Sequence, residues 1–95
     1  MAKNFDEIIS VFAQTDNTDT IKKVMRALLT PAEIRDIEAR WEIVKRLEQG
    51  ISQRKIAKDL HLSLCKITRG SKELKKKNSV LKKIIRDIIT KENNA

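Results

Sequence analysis

The chain has 95 residues, with 21 Lys and Arg against 13 Asp and Glu, a formal net charge of +8. It holds one His, one Cys, one Trp, two Phe, no Tyr, two Gly and one Pro. That length fits one domain over residues 1–95. The composition excludes an internal disulfide, a structural zinc site, a turn-rich sandwich or barrel, and an apolar run near the roughly 18 residues of a membrane span. The first ten residues, MAKNFDEIIS, lack the long apolar stretch and small-residue cleavage site of a signal peptide, so a soluble cytoplasmic protein is expected. With aromatics at 3% there is little bulk to bury, and pairing with a second copy would help to close the core.

In chain order the apolar residues repeat at helical spacing. Phe5, Ile8, Ile9 and Phe12 form one stripe. TDNTDT, residues 15–20, is a polar break rich in cap formers. Ile21, Val24, Met25 and Leu28 form a second stripe. Thr30-Pro31-Ala32-Glu33 is a capping box, with Pro at the first helical position. It predicts a helix through Ile34, Ile37, Trp41, Val44 and Leu47 that ends near Gly50. Ser52 caps a short helix, QRKIAKDL. After a break at His61–Leu62, Ser63 caps another, LCKITRG. The stretch SKELKKKNS that follows is polar and basic, and Asn78 or Ser79 caps the last helix. Val80, Leu81, Ile84, Ile85, Ile88 and Ile89 give that helix a wide apolar face, too wide for one subunit to cover easily. The prediction is all-α: six helices and no strand.

The charge is uneven. Residues 1–38 carry five basic and seven acidic side chains, a net of −2, whereas residues 39–95 carry sixteen and six, a net of +10. Such asymmetry points to a polyanion, most often nucleic acid, because each neutralised phosphate releases condensed counterions. Within the basic part, Ile56, Ala57, Leu60, Leu62 and Ile67 have the spacing of a DNA-binding helix-turn-helix. Ile56 and Leu60 face inward, Ala57 is small where the second helix crosses, Leu62 plugs the turn and Ile67 anchors the second helix. His61 stands where many such motifs carry Gly, and tolerates a left-handed backbone better than branched residues do. Arg54, Lys55, Lys58, Lys66 and Arg69 surround the pair.

These segments resemble the tryptophan repressor family of tryptophan-dependent DNA-binding regulators. The resemblance is carried by Leu28-Leu29-Thr30-Pro31 with Glu33, by Arg40, by Ser52-Gln53-Arg54, and by Ile67-Thr68-Arg69-Gly70-Ser71, over about residues 24–90. It implies a six-helix intertwined homodimer. Residues 1–50 and 79–92 would form the shared core, and residues 53–72 a helix-turn-helix reading head. It also implies L-tryptophan as corepressor, its indole between Arg40 and Arg69. A planar guanidinium stacks on an aromatic face and forks onto a carboxylate. Arg69 would take the carboxylate, assisted by the Thr30 hydroxyl. The carbonyls of Ala27 and Leu29 would receive the ammonium, and Gly70 would admit the ligand close to the backbone. Ala27 stands where the family usually has a larger apolar residue. Glu73 stands where a serine often meets the ammonium, and a carboxylate accepts from it more strongly.

The same resemblance implies that the second helix of the pair enters the major groove of a palindromic operator. Leu64, Cys65, Lys66 and Thr68 then lie nearest the bases, and Gln53 and Arg54 reach base or phosphate. Lys72, Lys75, Lys76 and Lys77 would be phosphate neighbours rather than base readers, and Lys58 a further DNA contact. Ala57 replaces a commonly basic residue. Tryptophan would repress by fixing the two heads at one helical-turn spacing. The other readings are a helix-turn-helix regulator answering a different ligand or none, and a basic module for RNA or an acidic protein. An enzyme is not expected, since one His allows no nucleophile–base set and no Gly-rich phosphate loop is present.

Overall fold

The computed structural model describes residues 2–93. It contains six α-helices: α1 (Ala2–Gln14), α2 (Thr18–Leu28), α3 (Pro31–Glu48), α4 (Gln53–Leu60), α5 (Leu64–Lys75) and α6 (Val80–Asn93). No strand occurs among the described residues. None of these helices is long and apolar enough to cross a membrane. The chain forms two compact units, one ending at Arg35 and one beginning at Asp36.

In the first unit, helix starts follow local hydrogen bonding. The Asn17 side chain accepts from the Thr20 N–H at 3.0 Å, so α2 already begins at Thr18. The expected break at 15–20 therefore shrinks to three residues, because the second half of TDNTDT is the first turn of a capped helix. At the start of α3 the capping box closes both ways. The Thr30 N–H donates to Glu33 Oε1 at 2.8 Å, and the Glu33 N–H donates to Thr30 Oγ1 at 3.1 Å. The apolar stripe of α1 is largely uncovered within the chain. Phe5 is 63% exposed, and Ile8, Ile9 and Val11 are exposed beside it.

In the second unit, α3 ends as expected at Gly50 (φ +86). The Gly50 N–H donates to the Leu47 carbonyl at 3.0 Å, and the Ile51 N–H to the Arg46 carbonyl at 3.1 Å. A Cβ at Gly50 would touch nothing, so the backbone conformation alone calls for glycine. Ile51 is thereby turned onto the core. Adjacent residues of α3 serve two clusters. Ile43 packs with the fully buried Ile56 of α4 and Ile67 of α5, flanked by Ala57, Leu60 and Leu62. Val44 packs with Leu74 of α5 and Ile85 of α6, flanked by Leu81 and Ile89. Full burial of one such side chain contributes about 1.5–3 kcal/mol. Charged groups bridge α3 and α6 at the rim. Glu48 accepts from Arg86 at 3.0 Å and faces Lys82 at 3.8 Å, and Lys45 pairs with Glu92 at 2.9 Å.

Two local expectations are corrected, and a third is narrowed to one residue. The helix expected to span LCKITRG runs past Gly70 to Lys75, since Ser71 and Leu74 are both buried and extend its inner face. Gly70 is a mid-helix residue whose missing Cβ admits α3: a Cβ there would lie 3.1 Å from Ile43 Cγ2. Ser63 takes the N-cap position of α5 with extended backbone, yet its side chain makes no capping hydrogen bond. Of the two candidates for capping α6, Ser79 does so, its hydroxyl accepting from the Lys82 N–H at 3.2 Å. Asn78 instead makes the left-handed turn before it (φ 57).

A cleft below α5 and a basic outer face

α4 and α5 are joined by residues 61–63. His61 takes the left-handed conformation (φ 56, ψ 43), and its N–H and that of Leu62 turn back onto the carbonyls of Lys58 and Ala57. The sharp reversal lets Leu62 drop into the core beside Ile56 and Ile67. The helix pair is thus held by its own apolar contacts and by its packing on α3.

Beneath α5 lies a cleft of about 710 Å³, walled by α3 on one side, α5 on the other and Leu81 of α6. Arg40 of α3 and Arg69, Gly70 and Glu73 of α5 all line it. Neither arginine forms an ion pair with the described residues. Ile43 and Val44 form the apolar floor. The Glu73 carboxylate is 2.9 Å from Lys76 Nζ, so it meets any ligand as one member of an exposed ion pair. Asp36, Trp41 and Lys66 also line the cleft, and the sequence does not mark them as cleft residues. Trp41 fits the apolar stripe of α3, but 41% of it is exposed and it lines the cleft. Lys66, expected to face DNA, also borders the cleft, because it shares a face of α5 with Arg69, Gly70 and Glu73.

Ala27, Leu29 and Thr30 belong to the unit that ends at Arg35. Ala27 is exposed on α2. The Leu29 N–H closes α2 by donating to the Met25 carbonyl at 2.9 Å. Thr30 Oγ1 is an acceptor in the capping box, and the Thr30 side chain also helps to hold the Glu33 carboxyl below its ordinary value.

The outer face of α5 carries Leu64, Cys65, Thr68 and Lys72 around a shallow depression that Arg69, shared with the cleft, also borders. Leu64 and Cys65 are exposed, so two soft apolar groups stand at the front of the helix. The Thr68 hydroxyl is 3.1 Å from Gln53 Oε1 and 3.0 Å from the Leu64 carbonyl oxygen, and donates to one of them at a time. This bond joins the first residue of α4 to the outer face of α5, bringing two of the expected base-reading residues together. Arg54, Lys58 and Lys72 are exposed and form no ion pair with the described residues. Lys55 is instead tied to Asp59 at 3.0 Å, a contact that holds the Asp59 carboxyl below its ordinary pKa.

Comparison with known proteins places this architecture. Residues 3–89 match the Trp repressor protein family. A Trp operon repressor homolog of Xylella fastidiosa (strain M23) is 36% identical over 75 residues, 78% of this chain and 82% of that protein. Homologs of the same name from Vibrio campbellii and Vibrio atlanticus are each 30% identical, covering 92% and 95% of this chain and 88% and 93% of their own. No solved structure matches at comparable significance. The class so defined is that of regulatory DNA-binding proteins, not enzymes. The chain belongs to the Trp repressor family.

Proposed function

We propose that the chain is a tryptophan-activated transcriptional repressor that binds a palindromic operator as a homodimer in the cytoplasm. The observation that carries this reading is the meeting of Arg40 and Arg69, neither paired with a described residue, across one cleft with an apolar floor. Two guanidinium planes and an apolar floor suit a flat aromatic amino acid with a carboxylate. L-Tryptophan placed there contacts the inner face of α5. The outer face of the same helix, with Leu64, Cys65, Thr68 and Lys72, then meets the major groove, while Gln53, Arg54, Lys58 and Lys66 approach bases or phosphates. Glu73 then lies near the ligand's ammonium and Gly70 against its side. A ligand beneath a short helix pair fixes its angle, so ligand and DNA are coupled. By linkage each tightens the other's binding by the same factor.

Calorimetry of the intact chain with L-tryptophan, with and without a palindromic duplex selected from a random pool, tests this. The expected result is saturable binding that strengthens when the duplex is present. Heat with another amino acid or indole but none with L-tryptophan would sink the ligand assignment, and equal affinity with and without duplex would sink the coupling.

A further inference from the structure

A second concavity lies where α5 ends and α6 begins, with a volume of about 620 Å³. Five cations line it, Lys75, Lys76, Lys82, Lys83 and Arg86, against the single carboxylate of Asp87. Carboxylates from outside the groove answer some of them: Glu73 pairs with Lys76, and Glu48 faces Lys82 and Arg86. Lys75 and Lys83 are exposed and pair with no described carboxylate. The left-handed turn at Asn78 folds the basic end of α5 back toward the basic start of α6. Mutually repelling charges are therefore collected in one concave surface. The positive end of α6 adds to the field there.

We infer that this groove binds backbone phosphates of duplex DNA flanking the sequence read by α4 and α5; the inference rests on the repressor reading above. Lysines on flexible stems are point charges suited to phosphate; the one planar fork, Arg86, is paired with Glu48, and no aromatic ring lines the groove to read a base. Duplex DNA carries one negative charge per about 1.7 Å of axis, a density that answers several cations at once, whereas one small anion would leave most of them uncompensated. The groove also continues the outer face of α5. Cys65, Thr68, Lys72 and Lys75 follow one another at helical spacing, so a duplex lying on the first three meets Lys75 next.

The test measures the salt dependence of binding for a long duplex and for one trimmed to the bases under α4 and α5. The parent chain is compared with a Lys75→Gln, Lys83→Gln double variant and with Lys22→Gln, Lys23→Gln, which removes equal charge from α2. On the long duplex, the plot of log affinity against log salt should become shallower by about 2 per chain for the Lys75/Lys83 variant, at about 0.9 per phosphate. The change should be alike for specific and random sequence, and absent on the trimmed duplex and in the α2 variant. An unchanged slope for the Lys75/Lys83 variant overturns the inference, as does an equal loss in the α2 variant. The two readings fail separately. A slope lost in the Lys75/Lys83 variant of a protein indifferent to L-tryptophan removes the corepressor and leaves the groove. A tryptophan-dependent protein with an unchanged slope does the reverse.

Discussion

Arg69 is the side chain whose geometry matters most, because the proposed ligand needs a planar fork and not merely a positive charge. Arg69→Lys keeps the charge but forfeits the bidentate grip and the stacking face. Calorimetry should show L-tryptophan binding weakened about 10- to 100-fold, the range of one charge-assisted pair. Gly70 poses a question of sign. Alanine favours a helix interior by about 1 kcal/mol over glycine. Yet its Cβ would sit 3.1 Å from Ile43 Cγ2 and 3.4 Å from Val44 Cγ1, and Ile43 is 2% exposed and packed against Ile56 and Ile67. Overpacking of that kind costs about 1–3 kcal/mol, so Gly70→Ala should lower the melting temperature despite the better propensity. Much at this scale is legible in the sequence. The αL turn at His61, the inward set Ile56, Leu60, Leu62 and Ile67, and Gly50 all follow from residue type and spacing. The joint role of Gly70 does not, since only the crossing with α3 shows why a side chain is excluded. Nor does the place of Lys66 and Trp41, whose residue types fit a DNA contact and a core stripe equally well.

At the scale of elements, the starts of helices are better encoded than their lengths. The capping box at Thr30 and Glu33 is fully formed, and it has a pH signature. Hydrogen bonds from the Thr30 N–H, then from its side chain, hold the Glu33 carboxyl below its ordinary value of 4.5. A group depressed in the folded state stabilises fully above its unfolded value and loses that contribution as pH falls through the folded one. Glu33→Gln retains an acceptor for the Thr30 N–H but does not titrate. The stability advantage of the parent over Glu33→Gln, measured by urea unfolding, should therefore shrink as pH drops below 4.5. The C-terminus of α5 is less legible. Gly70 and the polar run after it look like an ending, but buried Ser71 and Leu74 carry the helix on through tertiary packing. The apolar face of α6 was evident from its spacing, yet only Ile85 is fully buried, while Val80 is 70% and Ile84 44% exposed.

For the molecule as a whole, the uncovered apolar groups are the outstanding feature. Phe5, Ile9 and Val11 on α1, Leu28 on α2, Ile37 and Trp41 on α3 and Val80 and Ile84 on α6 remain exposed in a single chain. Surfaces of this kind mark association sites. Sedimentation should give twice the 11.0 kDa chain mass, and the melting temperature should rise with protein concentration, as mass action requires of a folded dimer. A concentration-independent transition at the monomer mass would refute pairing. In the sequence the expectation of pairing rests on the 3% aromatic content and on the breadth of the last helix. The division of charge also belongs to this scale, since the basic excess falls after residue 38, in the part that contains α4, α5 and the groove beside α6.

Trp41 has a practical consequence. It is the single tryptophan of a chain without tyrosine, and it lines the cleft. The near-ultraviolet circular dichroism of this protein is therefore dominated by one indole on the cleft wall. Any change in that band on adding a ligand transparent in this range reports the cleft itself, free of background from the rest of the fold.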